Sequence, residues 1–201
     1  GGASFTESNL TNDTVGSSEV IAQDIDNDGD LDLYVATFSQ NKLWINDGLG
    51  NGGASFTESN IPGDTGTSYG VAVFDANNDG FFDLYSSTVS SQNVLWINDG
   101  LGNGGASFTR FEISGDDNSI VFSIEPLAGD YDQDGDSDIY VPSFGDQNIF
   151  WTNDGTGTFN QYSIPGDEGD SYEATLIDPN EDGLVDLYVA NFGQNKLWIN
   201  Q

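Results

Sequence analysis

The 201-residue chain has no cysteine, no histidine and no methionine, and its only basic residues are Lys42, Arg110 and Lys196. Without cysteine there is no disulfide, no thiolate metal site and no cysteine nucleophile. Without histidine the chain lacks the side chain used most often as a general base and as a zinc ligand. The 34 acidic residues give a formal net charge of −31. Nucleic acid and anionic membranes are therefore not expected as partners, because both need a cationic surface.

Long apolar runs and helical periodicity are also missing. No run approaches the ~18 apolar residues that a membrane-spanning helix requires, so membrane insertion is not expected. No sustained apolar repeat of 3.6 residues predicts a helix. The 13 Phe, 8 Tyr and 4 Trp nevertheless distinguish the chain from disordered acidic sequences, which contain few aromatic residues.

Four copies of one unit make up the chain. Gly-Gly-Ala-Ser-Phe-Thr occurs at 1–6, 52–57 and 104–109, and Leu-Trp-Ile-Asn occurs at 43–46, 95–98 and 197–200. A period of about 50 residues is typical of a propeller blade. We therefore predict a single domain, 1–201, built from four repeats, whose Asp-rich stretches open at Asp24, Asp75, Asp130 and Asp178.

Each unit is predicted to form four short strands. The first is an apolar run such as 69–74, and the second follows the Asp-rich stretch, as in 32–35. The third carries a Trp, as in 42–46, and the fourth corresponds to 55–59. Asn-Asp-Gly follows the Trp strand at 46–48, 98–100 and 153–155, which is a strong signal for a tight turn. The predicted fold class is all-β, with four-stranded antiparallel blades.

The Asp-rich stretches align as four loops at 24–32, 75–83, 130–138 and 178–186. Positions 1, 5 and 9 are always Asp, position 3 is Asp or Asn, and position 6 is always Gly. Alternating oxygen-bearing residues around a Gly bend can surround a hard cation, and oxygen ligands in this number favour calcium. Position 7 varies in side chain, as expected for a ligand that contributes its backbone carbonyl. The predicted ligands of four Ca²⁺ ions per chain are Asp24, Asp26, Asp28, Asp30 and Asp32; Asp75, Asn77, Asp79, Phe81 and Asp83; Asp130, Asp132, Asp134, Asp136 and Asp138; and Asp178, Asn180, Asp182, Leu184 and Asp186.

Two other interpretations of these loops are less consistent with the sequence. An EF-hand needs a bidentate Glu at position 12 and flanking helices, whereas position 12 here is Val35, Ser86, Val141 or Val189 within a strand pattern. Simple polar turns also use Asp, Asn and Gly, but four loops in the same register argue against this interpretation.

At these residues the sequence resembles a known family. Asp-x-Asp-x-Asp-Gly-x-x-Asp followed by Leu-Tyr-Val is similar to the FG-GAP and VCBS repeats of integrin α-subunit-type β-propellers. Phe144-Gly145 and Phe192-Gly193 supply the Phe-Gly element. The resemblance covers essentially the whole chain and implies blades of four strands, with calcium between the first and second strands.

The sequence allows two forms of ring closure. Residues 1–9 match a fourth strand and residues 195–200 match a third strand, so their pairing would complete one blade and cover two sheet edges. One chain could close a four-bladed ring, or two chains could share terminal strands in an eight-bladed homodimer. The resemblance implies wider rings, and symmetric homodimers are the commonest oligomers.

Two sets of recurrent residues have alternative interpretations. Trp44, Trp96, Trp151 and Trp198 could stack on sugars, but packing between blades is the preferred interpretation. Glu19, Glu125 and Glu173 precede the loops by the same spacing and are expected near the central axis. There they could bind a cation or act as paired carboxylates in glycosidic chemistry, or simply line a solvated channel.

Two classes of function follow. The first is a non-enzymatic, calcium-binding scaffold that recognises a protein or carbohydrate. The second is a carbohydrate-binding lectin or a polysaccharide-active enzyme that uses the central glutamates. The absence of catalytic and cofactor motifs favours the first. Because free calcium is scarce inside cells, a secreted or cell-surface location is expected.

Overall fold

Antiparallel hairpins account for the regular structure of the chain. The computed structural model describes residues 2–4, 7, 9–10, 13–49, 55–88, 92–101, 106–116 and 122–201. Its four larger sheets are arranged as the four blades of a β-propeller, which confirms the predicted fold class. The described residues contain no helix, and therefore none that could cross a membrane.

Blades 1 and 2 each contain four strands in sequential order. Blade 1 consists of β1 (Ser17–Gln23), β2 (Asp32–Thr37), β3 (Lys42–Asn46) and β4 (Phe56–Ser59). Blade 2 consists of β5 (Ser68–Phe74), β6 (Asp83–Thr88), β7 (Val94–Asn98) and β8 (Phe108–Phe111).

Two short ribbons accompany blades 3 and 4. The ribbons are β9 (Phe122–Ser123) with β12 (Ser143–Phe144), and β13 (Asp146–Gln147) with β16 (Glu168–Gly169). Blade 3 consists of β10 (Leu127–Gly129), β11 (Asp138–Val141), β14 (Ile149–Asn153) and β15 (Phe159–Tyr162). Blade 4 consists of β17 (Ser171–Ile177), β18 (Asp186–Asn191) and β19 (Lys196–Trp198).

The fourth strand of blade 4 was predicted from residues 1–9. Among these, Gly1, Phe5, Thr6 and Ser8 lie outside the described residues. The pairing with 195–200 therefore stays a prediction.

The core lies between consecutive blades. One cluster joins Tyr34 and Leu43 of blade 1 to Leu84 and Trp96 of blade 2. The next joins blade 2 to blade 3, and a third joins blade 3 to blade 4. A flat sheet buries its side chains by stacking against its neighbour, so each blade needs the next to complete its core.

A buried Tyr–Asp contact recurs at these junctions. The Tyr140 hydroxyl donates to Asp167 Oδ2 at 2.6 Å, and the Tyr85 hydroxyl donates to Asp116 Oδ2 at 2.7 Å. Tyr34 also lies near Asp64, but its hydroxyl is 3.0 Å from Ser86 Oγ, and Asp64 Oδ2 has no hydrogen-bond partner among the described residues. Burial raises the pKa of Asp167, and the Tyr140 hydrogen bond opposes that rise. The contact satisfies a carboxylate that is almost fully buried.

We predict that Tyr140→Phe lowers the free energy of unfolding by about 1–3 kcal/mol, because it leaves a buried carboxylate oxygen without its donor. Tyr162→Phe is the matched control, since Tyr162 is 55% exposed and its substitution should change stability by less than about 0.5 kcal/mol. Urea unfolding of the three proteins in calcium measures the difference. Equal stability of the two variants would contradict this role for Tyr140.

Candidate metal centres

All four Asp-rich loops connect the first strand of a blade to the second. Loop 1 runs from the end of β1 to the start of β2, and loops 2, 3 and 4 occupy the same place in their blades. The loops therefore lie at one end of the blades. The predicted ligands of each calcium site all come from a single loop.

Backbone N–H groups hold the carboxylate at position 1. Asp24 accepts from the N–H of Asp28 and from that of Gly29, both at 3.0 Å. Asp75 and Asp178 make the same pair of hydrogen bonds in loops 2 and 4. In loop 3, Asp130 Oδ2 accepts from Gly135 at 3.2 Å, while Oδ1 is buried with no hydrogen-bond partner in the described structure.

Left-handed backbone at two positions bends each loop. Position 6 is Gly with φ between 85° and 98°, and a Cβ there would meet no atom within 4 Å. Its glycine is therefore required by backbone conformation and not by crowding. Sequence reasoning missed the second bend, at position 4, where Asn27, Asn78, Gln133 and Glu181 have φ of 56–63°.

The aspartate at position 9 is buried at the root of each loop. Asp83 Oδ2 accepts from the N–H of Ala76 at 2.8 Å, and its Oδ1 accepts from the N–H of Asn98 at 2.7 Å. The same clamp holds Ile25 and Asn46 through Asp32 in blade 1. Sequence analysis predicted these residues as ligands but missed the clamp between the loop and the third strand.

Loop 4 lacks one half of this clamp. Asp186 Oδ1 accepts from Asn200 N–H at 2.7 Å. The other donor would come from position 2, which is Pro179 and has no N–H. Asp186 Oδ2 is accordingly buried without a hydrogen-bond partner among the described residues. Such an oxygen is costly unless another group, such as a cation, binds it.

Carboxylates converge in loops 1 and 3. Oxygens of Asp24, Asp26 and Asp28 lie within 4.8 Å of one another, and so do those of Asp130, Asp132 and Asp138. In loops 2 and 4 the position-3 amide instead donates to the position-5 carboxylate, from Asn77 to Asp79 at 3.0 Å and from Asn180 to Asp182 at 2.8 Å. The Asn loops thus hold less unbalanced charge than the Asp loops.

Position 7 contributes its side chain to a different contact. Asp30, Phe81 and Asp136 lie against Gly48, Gly100 and Gly155 of the Asn-Asp-Gly turns, where an added Cβ would collide with them. This placement is consistent with the prediction that only the backbone carbonyl of position 7 serves as a ligand.

Burial and like charges raise the pKa values of the loop carboxyls. Burial raises the pKa of Asp83 to about 7 and that of Asp138 to about 6, and neighbouring loop carboxylates add to both shifts. Burial and the charges of Asp32, Asp28 and Asp24 raise the pKa of Asp26 to about 6. A divalent cation would reverse these shifts, since it favours the ionised carboxylates.

Glu125 and Glu173 lie close enough to Glu19 for their negative charges to act on it. Glu19 Oε2 accepts from Val71 N–H at 2.7 Å, and burial, with Glu125 and Glu173 nearby, raises its pKa to about 7. Gly70 occupies the equivalent position in blade 2, where a Cβ would collide with the backbone of Glu125.

Two of the recurrent tryptophans belong to the cores between blades, Trp96 between blades 1 and 2 and Trp151 between blades 2 and 3. Trp44, Trp96 and Trp151 are at most 2% exposed, so the packing interpretation is correct for Trp96 and Trp151 and stacking on sugars is excluded for all three. Trp198 is half-buried, and its Nε1 donates to Asp167 at 3.1 Å.

Comparison with known proteins identifies the repeat. The sequence profile of the FG-GAP-like repeat matches residues 24–86, 77–141 and 130–189. No curated protein matches the sequence.

Two solved structures are similar to this chain. The BBS1N chain, crystallised with ARL6DN and soaked with lead, superposes with a TM-score of 0.54 at 11% identity. The superposition covers 90% of this chain and 55% of that one. The Photorhabdus luminescens Tc holotoxin pore superposes with a TM-score of 0.49 at 15% identity, over 89% of this chain and 9% of that one. This chain therefore spans about half of the first relative and a small part of the second, and the first likeness shows the fold.

We predict that the metal-free protein loses stability as the pH rises from 5 to 8. In the folded protein Asp83 keeps its proton to about pH 7, and Asp26 and Asp138 keep theirs to about pH 6. The unfolded chain releases these protons near 3.8, so the folded state binds more protons in this range and stability falls with pH. Glu19 acts in the same direction.

Urea midpoints at each pH, without metal and with calcium, measure this effect. Calcium should reduce the decline, because it binds the ionised carboxylates. Asp83→Asn should flatten part of the metal-free profile. Stability that rises with pH in metal-free buffer would contradict the prediction.

Proposed function

The chain belongs to the FG-GAP-like repeat family, and on that premise we propose that it is a non-enzymatic calcium-binding β-propeller module, in which calcium stabilises the loops of a recognition scaffold. In this proposal the side chains at positions 1, 3, 5 and 9 and the carbonyl at position 7 of each loop hold one Ca²⁺. The ion supplies positive charge where carboxylates converge, and each ion would offset two of the 31 formal negative charges.

The observation that carries the proposal is that two of the three buried carboxylate oxygens without a hydrogen-bond partner among the described residues lie in the Asp-rich loops; the third is Asp64 Oδ2, at the junction of blades 1 and 2. Asp130 Oδ1 and Asp186 Oδ2 belong to different loops and to different loop positions. The other oxygen of each of these two carboxylates, Asp130 Oδ2 and Asp186 Oδ1, accepts a hydrogen bond from a backbone N–H group, which holds the charged group within its loop. Carboxylate oxygens that backbone N–H groups hold in place beside other carboxylates are the ligands expected of a preorganised calcium site.

Recognition is proposed for the opposite end of the blades. There Phe38 packs edge-on against Tyr69, with ring centroids 5.5 Å apart, and Phe144 packs against Tyr172 at 5.4 Å. Phe192 extends this aromatic cluster and is 76% exposed. Exposed aromatic rings beside acidic residues suit a protein or glycan ligand. Calcium would keep the loops rigid at the other end, and the extracellular calcium that such loops require favours a secreted or cell-surface location.

A second candidate function is carbohydrate binding or glycan hydrolysis at the aromatic cluster. The observation in its favour is a shallow hollow lined by Tyr69, Ile124, Phe144 and Tyr172. Glu125 adjoins Ile124 in the chain, and the pKa of Glu19 is raised toward that of a general acid. We place this function second because neither a nucleophile motif nor a cofactor motif accompanies these carboxyls.

We predict that calorimetric titration of the metal-free chain reports four calcium sites. Loops 1 and 3 should bind more tightly than loops 2 and 4, because each has one more carboxylate and more repulsion to relieve. One site or none per chain would overturn the proposal, and equal affinities would overturn the ranking.

Asn77→Asp tests the same argument within one loop. It restores the carboxylate at position 3, so site 2 should bind calcium more tightly. Gln194→Glu is the control, since it adds the same charge at an exposed turn between β18 and β19, at the end of the blades opposite the loops. An equal gain in both variants would mean that net charge, and not loop position, sets the affinity.

The second function is tested by a glycan array with two matched variants. If the aromatic cluster binds sugar, Tyr172→Ala should lose binding, whereas Tyr162→Ala on the outer strand should retain it. If the protein hydrolyses neutral glycosides and Glu125→Gln abolishes this activity, the result would support a glycan hydrolase and not a non-enzymatic calcium-binding module.

A further inference from the structure

The Tyr and Asp residues at the junctions between blades occupy the same two positions in each repeat. At each junction the Tyr lies on the second strand of one blade, and the Asp lies in the turn that leads into the next blade. The backbone N–H of Asp64, Asp116 and Asp167 donates at 3.1 Å to the carbonyl three residues earlier. These aspartates are at most 5% exposed.

Blade 4 carries the same tyrosine without the aspartate. Tyr188 lies on β18 in the register of Tyr34, Tyr85 and Tyr140, which are 0% exposed, but Tyr188 is 37% exposed. Its hydroxyl accepts from Asn195 at 2.8 Å, as the hydroxyl of Tyr85 does from Asn93. No carboxylate among the described residues accepts a hydrogen bond from it.

Apolar side chains around Tyr188 are exposed as well. Leu197 is 48% exposed, whereas its counterparts Leu43 and Leu95 are at most 1% exposed. Ile199 is 42% exposed. Tyr188, Leu197 and Ile199 define the trailing face of blade 4. This face corresponds in position to the faces that blades 1 to 3 bury against the next blade.

Blade 1 carries the complementary half of the junction. Asp13 N–H donates to the Leu10 carbonyl at 3.4 Å in the turn that leads into β1, and Asp13 is exposed. Val20 on β1 is 58% exposed, whereas its counterpart Val71 is 1% exposed. Asp13 and Val20, with Asn46 at the end of β3, define the leading face of blade 1.

A second contact repeats at the loop end of each junction. The third-strand Asn donates to the carbonyl of loop position 2 in the preceding blade, from Asn98 to Ile25 at 3.0 Å and from Asn153 to Ala76 at 2.8 Å. Asn46 donates to Leu31 within its own blade. The carbonyl in register for Asn46 is that of Pro179 in blade 4.

The two faces do not meet within this chain. Among the described residues, no hydrogen bond joins Ser17–Ser59 to Ser171–Asn200, and both Tyr188 and Asp13 remain exposed. Tyr188, Leu197 and Ile199 of blade 4 and Asp13 and Val20 of blade 1 are therefore uncovered, whereas Trp44 and Asn46 of blade 1 are at most 6% exposed. The chemistry of the two faces is that of a junction the chain already forms three times, so the surface that fits each face is the other face.

We propose that a second copy of this chain docks its leading face on the trailing face of blade 4, and that the two copies do so reciprocally to close an eight-bladed ring. In this junction the Tyr188 hydroxyl donates to the partner's Asp13, and the Pro179 carbonyl accepts from the partner's Asn46. Reciprocal docking gives two identical interfaces related by a twofold axis.

The docking is independent of the proposed calcium function, because it uses blade faces and none of the loop carboxylates. The net charge of each copy opposes association, but the faces themselves are apolar or hydrogen-bonded. At about 0.15 M salt the Debye length is about 8 Å, so repulsion between distant acids is largely screened.

Light scattering of the 201-residue chain in 0.15 M salt, with and without calcium, tests the proposal. We expect a mass twice that of the 21.5 kDa chain. Leu197→Glu should give a folded monomer, because it places a charge in the buried junction. Leu49→Glu, at an 85% exposed turn position, should leave the dimer intact. A wild-type monomer at 100 µM, or an open series of larger oligomers, would overturn the eight-bladed ring.

A double-mutant cycle tests the contact itself. Tyr188→Phe and Asp13→Ala should each weaken the dimer about tenfold to a hundredfold, since each removes a hydrogen bond to a charged group. The double variant should be no weaker than either single variant. Additive losses would show that the two residues do not meet.

Cross-linking distinguishes docking between copies from closure within one chain. Because the chain has no cysteine, Asp13→Cys and Tyr188→Cys each introduce a single thiol. A short bis-maleimide should link an equimolar mixture of the two variants into a two-chain product, more than it links either variant alone. A chain with both substitutions that cross-links only within itself would overturn the proposal in favour of the four-bladed ring.

Discussion

The buried aspartate at the root of each loop is the interaction on which the rest of the structure depends. Asp32, Asp83, Asp138 and Asp186 are 0% exposed, although ionised carboxylates strongly favour water. Each accepts the N–H of an Asn at the end of the third strand or two residues beyond it, and three of the four also accept the N–H of loop position 2. The clamp joins the first hairpin to the third strand, and its cost in desolvation is lowered by a proton or by a cation in the loop.

The clamps of consecutive blades are linked to one another. Asp32 holds the N–H of Ile25, and the carbonyl of the same residue accepts from the Asn98 side chain of blade 2. The backbone N–H of Asn98 in turn donates to Asp83. A hydrogen-bond path therefore runs from one acidic loop to the next. The Tyr–Asp contacts bind the opposite end of the same junction, and apolar side chains fill the space between.

Most of the blade architecture could be predicted because it depends on residues close together in the sequence and recurs in every repeat. The strand positions, the loop boundaries and the Gly bend follow from short-range patterns that recur in register, and repetition separates such patterns from chance. The backbone conformation and hydrogen bonds of the loops were harder to predict. Left-handed backbone at position 4 falls on Asn27, Gln133 and Glu181, which share no side-chain signal strong enough to predict it. The missing donor in loop 4 had a signal in Pro179, but only the clamp geometry reveals what that proline removes.

By itself the sequence determined the all-β class, the four repeats and the acidic loops with their candidate ligands, because each depends on residues close together in the chain. Tertiary structure alone decided how the blades are joined. Tyr140 and Asp167, or Asn153 and Ala76, are far apart in sequence, and only the stacking of whole sheets brings them within hydrogen-bond distance. The same stacking buries Tyr34 and leaves Tyr188 exposed, although the two occupy one position in the repeat. A residue's pattern in the chain sets its place in the blade, whereas its burial depends on whether another blade lies beside it.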